Sequence, residues 1–112
     1  IPIPLHPKRF AQRGYNQSEW IGKGLSAVLD KPQDTNTLKR VKQTTTQTKK
    51  SVFERFENTE GIFELSGAKE LEGKHLLLID DVLTTGSTLN AAINTLLNIP
   101  NVKISIFTLA IA

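Results

Sequence analysis

The stretch HLLLIDDVLTTGST, His75 to Thr88, constrains this chain more than any other. Four apolar residues, Leu76 to Ile79, read as a strand buried on both faces. Asp80 and Asp81 then sit where that strand is expected to leave the core, followed by a loop of Thr, Thr, Gly, Ser and Thr. A buried strand can end without charges, so two adjacent carboxylates point to a ligand. Beyond the loop, Leu89, Ala92, Ile93, Leu96 and Leu97 keep a helical period up to Pro100. VKISIFTLAI then reads as another buried strand. Strand, loop, helix and strand form a crossover unit, which predicts a parallel sheet covered by helices.

A helix starting near Ser87 leaves its first backbone N–H groups unpaired and directed back at the loop, where the helix dipole adds positive charge. Gly86 allows close backbone approach, and the hydroxyls of Thr84, Thr85, Ser87 and Thr88 add donors. Together these make a phosphate cradle. The Gly-Lys-[Ser/Thr] ending of the nucleoside-triphosphate loop is missing. The carboxylates repel phosphate but accept hydrogen bonds from hydroxyls. A ligand with a phosphate at one end and neighbouring hydroxyls satisfies both halves, and a ribose 5-phosphate is such a ligand.

The rest of the chain is read around this unit. Pro2, Pro4 and Pro7 argue against a helix at the start, so IPIPL reads as the end of a strand and LHPKRFAQRGY as a basic loop. Asn16 is placed to cap a helix, with Glu19 three residues on, and Trp20, Ile21, Leu25, Val28 and Leu29 form its apolar stripe. TLKRVK and GIFEL read as short strands, and residues 43–58 between them as a long loop of the functional kind. His75 is expected to be packed or at the sheet edge.

The 112 residues suffice for one domain, with no apolar run long enough to span a membrane, no secretory signal and no cysteine, which fits a cytoplasmic protein. The chain lacks methionine and opens on IPIPL, so it is expected to be part of a longer polypeptide. Residues 1–56 carry a charge of +7 and residues 57–112 a charge of −4, within the net +3. A basic half of this kind suits a polyanion, either a phosphorylated small molecule or nucleic acid.

The string of four apolar residues, two acids and the Thr-Thr-Gly-Ser-Thr loop resembles the phosphoribosyl-pyrophosphate (PRPP) motif of type I phosphoribosyltransferases. PIPLHPKRFAQRGYNQSE, RVKQTTTQT and ERFEN resemble the ComF/GntX group of that family, competence-related and amidophosphoribosyltransferase-like proteins. The resemblance covers nearly the whole chain and implies a type I phosphoribosyltransferase, Rossmann-like α/β fold, here as a truncated domain. It implies that Asp80 and Asp81 hold the ribose hydroxyls and that Thr84, Thr85, Gly86, Ser87 and Thr88 hold the 5-phosphate. Leu5, His6, Lys8 and Arg9 match the pyrophosphate loop, with Arg13, Gly14, Asn16 and Gln17 in the same motif. The long loop is expected to close over the site and bring in Arg40, Gln47, Lys49 or Arg55, of which Arg40, Lys49 and Arg55 stand with the two aspartates as catalytic candidates. Mg²⁺ is the implied cofactor, held mainly by PRPP, with Asp80 or Asp81 as its protein contact. His6 by itself reads as structural or exposed.

Two departures matter. Purine-salvage relatives carry an acid where this chain has Thr84, which argues against that activity, and no base-activating residue is visible elsewhere. The cysteine-rich zinc module of ComF-type proteins is also missing. The expected activity is therefore transfer of ribosyl phosphate from PRPP to an unidentified nitrogen nucleophile. A non-catalytic PRPP or nucleotide sensor and a competence-related accessory protein for DNA uptake are the rival readings. Nucleic acid ranks last because the aromatics look sparse and not interleaved with the basic run in a stacking pattern. A homodimer is left open.

Overall fold

The computed structural model describes residues 1–42 and 61–112. Helix α1 spans Pro7–Arg13 and α2 Gln17–Leu29; strands β1, Leu38–Arg40, and β2, Phe63–Leu65, follow. A short 3₁₀ turn, Ala68–Leu71, leads into β3, His75–Leu83, then helix α3, Ser87–Leu96, and strand β4, Lys103–Ile111. The crossover unit is present as expected, with β3 and β4 parallel and in register from His75 opposite Lys103 to Leu83 opposite Ile111.

The opening residues use the other edge of β3. Ile3 N donates to Ile79 O at 2.8 Å, Ile79 N to Ile1 O at 2.9 Å, and Ile1 N to Leu77 O at 2.7 Å. The alternation Ile-Pro-Ile-Pro now has a reason. The isoleucines present their N–H groups to β3, while the prolines, which have none, take the alternate positions that face away. β3 is thereby central, flanked by the opening segment and by β4.

One side of β3 is dry. Leu76 and Leu78 join Leu89, Ala92 and Leu96 of α3 in a cluster completed by Ile3, Leu38, Ile62, Phe63 and Ile99. β1 and β2 form a separate antiparallel pair, Leu38 opposite Leu65 and Arg40 opposite Phe63, and contribute their buried ends to this cluster.

Four expectations are corrected. Residues 7–13 are helix, not loop. Pro7 occupies the first turn, where a missing N–H costs nothing, His6 caps it by accepting from Lys8 N at 3.1 Å, and Gly14 ends it at φ 76°. The apolar stripe of α2 is not its buried face, since Trp20, Val28 and Leu29 are exposed while Ser18 and Gly22 are buried. Gly22 leaves room for the Gln33 side chain between this helix and its surroundings: a Cβ there would collide with Gln33 Oε1, and would lie 3.4 Å from Ile79 Cδ1 of β3. β4 is not buried, because β3 is its only strand neighbour among the described residues and Ile106, Leu109 and Ile111 stay exposed. β3 also continues past Ile79 through both aspartates, since β4 runs beside it and keeps the ladder paired to Leu83. His75 lies exposed, with Nε2 2.7 Å from Ser105 Oγ on β4.

Asn16 ties two elements together. Its Oδ1 accepts from Ser18 N at 3.1 Å, capping α2, and its Nδ2 donates to Ile3 O at 3.0 Å. Asn16→Ala removes the cap and strips a buried carbonyl of its donor, so a loss of about 2 kcal/mol is expected. Urea unfolding checks this as a lower midpoint at unchanged slope.

Candidate functional site

The C-terminal end of β3, the start of α2, α1 and β1 enclose a cavity of about 240 Å³. The cavity floor carries Asp80 and Asp81; Arg9 and Arg13 come from α1, and Arg40 from β1. Ile3, Leu5, Asn16, Gln17, Ser18 and Thr88 complete the lining. Five residues separated by up to 72 positions thus place three guanidinium groups around one pair of carboxylates.

Asp80 is the most constrained group. Its Oδ1 accepts from Asp81 N at 2.9 Å and from Ser18 Oγ at 3.4 Å. Its pKa is pushed up to about 6, first by burial and then by the neighbouring Asp81 carboxylate, against the hydrogen bonds from Asp81 N and Ser18. Asp81 points its Oδ1 at Val82 N, 2.8 Å away. An acid poised near pH 6 is ready to ionise when hydroxyl donors or a cation arrive.

The raised pKa fixes a sign for stability. The folded chain holds a proton that the unfolded chain releases near the ordinary carboxylate value of 3.8. Stability is therefore fully present below about pH 4 and falls as pH rises toward 6. With respect to this group, the melting temperature is expected to be lower at pH 7 than at pH 5. Asp80→Asn should flatten that difference, which differential scanning calorimetry of both proteins at the two pH values would read.

Arg40 reaches the cavity from β1 rather than from the long loop. Its guanidinium stacks 5.7 Å from the Phe63 ring centroid and Nη1 donates to Pro4 O at 3.5 Å. Burial and then the nearby Arg9 lower its pKa, while Asp80 acts in the opposite direction. A fixed cation of this kind suits an anionic ligand.

The sequence-predicted residues divide. Leu5, Arg9, Arg13, Arg40, Asp80, Asp81 and Thr88 meet in the cavity, with Asn16 and Gln17. His6 and Lys8 are outside its lining, and the Lys8 amide is spent on the His6 cap rather than offered to a ligand. Thr84, Thr85, Gly86 and Ser87 also lie outside the lining, forming the turn between β3 and α3. There Thr85 Oγ1 lies 2.9 Å from Ser87 Oγ and accepts from Ser87 N at 3.3 Å, while Gly86 at the N-cap adopts φ 81° and brings no side-chain bond of its own. Gln47, Lys49 and Arg55, and the expected loop over residues 43–58, lie outside the described residues.

Ser18 was missed from the sequence. Its position two residues after the Asn16 cap was the available signal, because that spacing buries its hydroxyl at the helix start. As for a metal, no group of three His, Cys, Asp or Glu side chains able to hold one occurs among the described residues. Two adjacent carboxylates fit Mg²⁺ only as a partial shell, with the other oxygens coming from a ligand and water. Among the described residues, no helix is long and apolar enough to cross a membrane.

The comparisons with known proteins agree with this geometry. Residues 17–111 match the phosphoribosyl transferase domain family. Competence protein F of Haemophilus influenzae is 45% identical over 91 residues, covering 80% of this chain and 40% of that protein. DNA utilization protein YhgH of Escherichia coli K12 is 35% identical over 88 residues, 79% of this chain and 38% of that protein. Competence protein ComFC of Bacillus subtilis is 36% identical over 97 residues, 87% of this chain and 37% of that protein. The chain thus spans about two fifths of the length of the curated relatives it matches. No solved structure gives a significant match. With the acid pair, the Thr/Gly turn and the crossover unit in place, the chain belongs to the phosphoribosyl transferase domain family, as a type I domain of its ComF group.

Proposed function

We propose that this domain binds PRPP with Mg²⁺ and transfers its ribosyl phosphate to a nitrogen nucleophile. The observation that carries the reading is the cavity in which Arg9, Arg13 and Arg40 meet Asp80 and Asp81. Carboxylates accept hydrogen bonds from the ribose 2′- and 3′-hydroxyls, and the guanidinium groups face the pyrophosphate. The turn from Thr84 to Thr88 receives the 5-phosphate at the start of α3, where the N-cap residue is Gly86.

In the transfer, the C1–O bond to pyrophosphate breaks and a C1–N bond forms. Pyrophosphate leaves with the bonding pair, and the nitrogen gives up a proton to solvent. The arginines stabilise the departing charge, and the carboxylates stabilise the cationic sugar between the two bonds. Mg²⁺, when bound, screens the pyrophosphate. The relatives' names support placing this activity in competence or DNA utilization, and the lack of cysteine supports a cytoplasmic setting.

Calorimetric titration of PRPP, with and without Mg²⁺, tests the reading. Micromolar-range binding that needs Mg²⁺ supports it, and absence of binding by the folded chain sinks it. Pyrophosphate release with ammonia or small amines as acceptors then separates an enzyme from a sensor that binds PRPP without turnover.

A further inference from the structure

Asp80 is tied to the start of α2 by a closed circuit of hydrogen bonds. Ile3 N donates to Ile79 O at 2.8 Å, and Ile3 O accepts from Asn16 Nδ2 at 3.0 Å. Asn16 Oδ1 accepts from Ser18 N at 3.1 Å, and Ser18 Oγ donates to Asp80 Oδ1 at 3.4 Å. Asp80 follows Ile79 in the chain, so the circuit closes beside the residue where it began. Two of its corners are buried polar side chains, Asn16 at 8% and Ser18 at 4% exposed.

A serine hydroxyl in a helix ordinarily bonds to backbone nearby. The Ser18 hydroxyl instead crosses 62 positions to reach a carboxyl group, while its own N–H is taken by the Asn16 cap. At that exposure little water can replace the bond once it is lost. A carboxylate oxygen has about two acceptor sites. Asp81 N, at 2.9 Å, and Ser18 Oγ occupy both sites of Asp80 Oδ1. A ligand hydroxyl must then be received by Oδ2. The Asp81 amide moves wherever β3 moves, whereas Ser18 belongs to another element and sets the turn of the carboxyl group relative to α2. We propose that Ser18 is a positioning residue of the PRPP site, its hydroxyl holding the Asp80 carboxylate in the orientation that receives a ribose hydroxyl. The inference rests on the PRPP reading of the cavity. A carboxylate that is held before the ligand arrives loses no affinity to the ordering it would otherwise undergo.

Two other roles compete for the same side chain. A hydroxyl that only fills the contact between α2 and β3 acts through its volume. A hydroxyl that touches the ligand itself acts whether or not position 80 carries a carboxylate. Calorimetric titration of PRPP with Mg²⁺ into the parent and four variants separates the three. Ser18→Ala should weaken binding about fivefold, the effect of one ordinary hydrogen bond. Ser18→Cys keeps the volume but donates weakly, so it should lose about as much. Asp80→Ala alone should weaken binding about tenfold and stay measurable. In that background Ser18→Ala should cost less than about twofold more, because the group it acts through is gone. Circular dichroism should show every variant folded.

Parent affinity in Ser18→Ala or in Ser18→Cys would overturn the inference and leave the PRPP reading standing. A further fivefold loss in the Asp80→Ala background would overturn it as well, since Ser18 would then act without the carboxylate. Failure of the folded parent to bind PRPP would sink that reading and this inference with it.

Discussion

Replacing Asp80 and Asp81 together by asparagine is expected to weaken PRPP binding about a hundredfold while leaving the fold intact. Each carboxylate that accepts from a ribose hydroxyl makes a charge-assisted bond worth roughly 1.5–3 kcal/mol, and asparagine retains the shape but not the charge. Stability should move the other way. Burial and the adjacent acid hold Asp80 at about 6, so a neutral side chain at that position relieves a strain that the ionised form carries at neutral pH. The carbonyl of the introduced asparagine can still accept from Ser18 Oγ and from the backbone N–H that follows it. Weaker binding with an unchanged or higher melting temperature is therefore the signature of a ligand site kept at the expense of stability. Calorimetry for binding and thermal unfolding at pH 7 measure both. Wild-type affinity in the double variant would remove the aspartates from the site, and a lower melting temperature would show that they support the fold instead.

Leu78→Ala carries the second large effect. Leu78 is fully buried on β3, in the cluster with Leu89, Ala92 and Leu96 of α3. Removing its isobutyl group leaves a cavity that the strand cannot close, because β3 is held by hydrogen bonds on both sides. The cost should be about 3 kcal/mol, or roughly 12 °C in melting temperature. Since Leu78 lies two residues before Asp80 on the same strand, PRPP affinity should fall as well wherever the strand end loosens. Guanidinium unfolding at unchanged slope reads the stability loss. A loss below about 1 kcal/mol would mean that the core repacks around the cavity.

The crossover unit was legible because each of its parts repeats a local signal. Four apolar residues mark β3, the i, i+3, i+4 spacing marks α3, and Gly86 with the neighbouring hydroxyls marks the turn between them. The acid pair stood out because charge at the end of an apolar run has no local structural cause. Elsewhere local signals misled. Pro7 reads as a helix breaker until its position in the first turn is known, and that position depends on where His6 places the preceding chain. The apolar residues of α2 mark a stripe, but Gly22 and Ser18 form the side that approaches β3. VKISIFTLAI has the composition of a buried strand, yet a strand's burial depends on what lies beside it, and β4 has a described neighbour on one side only.

The sequence by itself determined the identity of the acid pair, the turn that follows it and the parallel unit that carries both, because each of these rests on signals between neighbouring residues. The tertiary structure decided which cations meet the acids. Arg9, Arg13 and Arg40 lie between 40 and 72 positions from Asp80 and Asp81, and no periodicity links such distant residues. Their meeting follows from the pairing of the opening segment with β3, the Asn16 bond to Ile3 and the seating of α2 against β3. It also raised the pKa of Asp80, since the burial that is the first cause of the shift exists only once the chain has folded around that carboxyl.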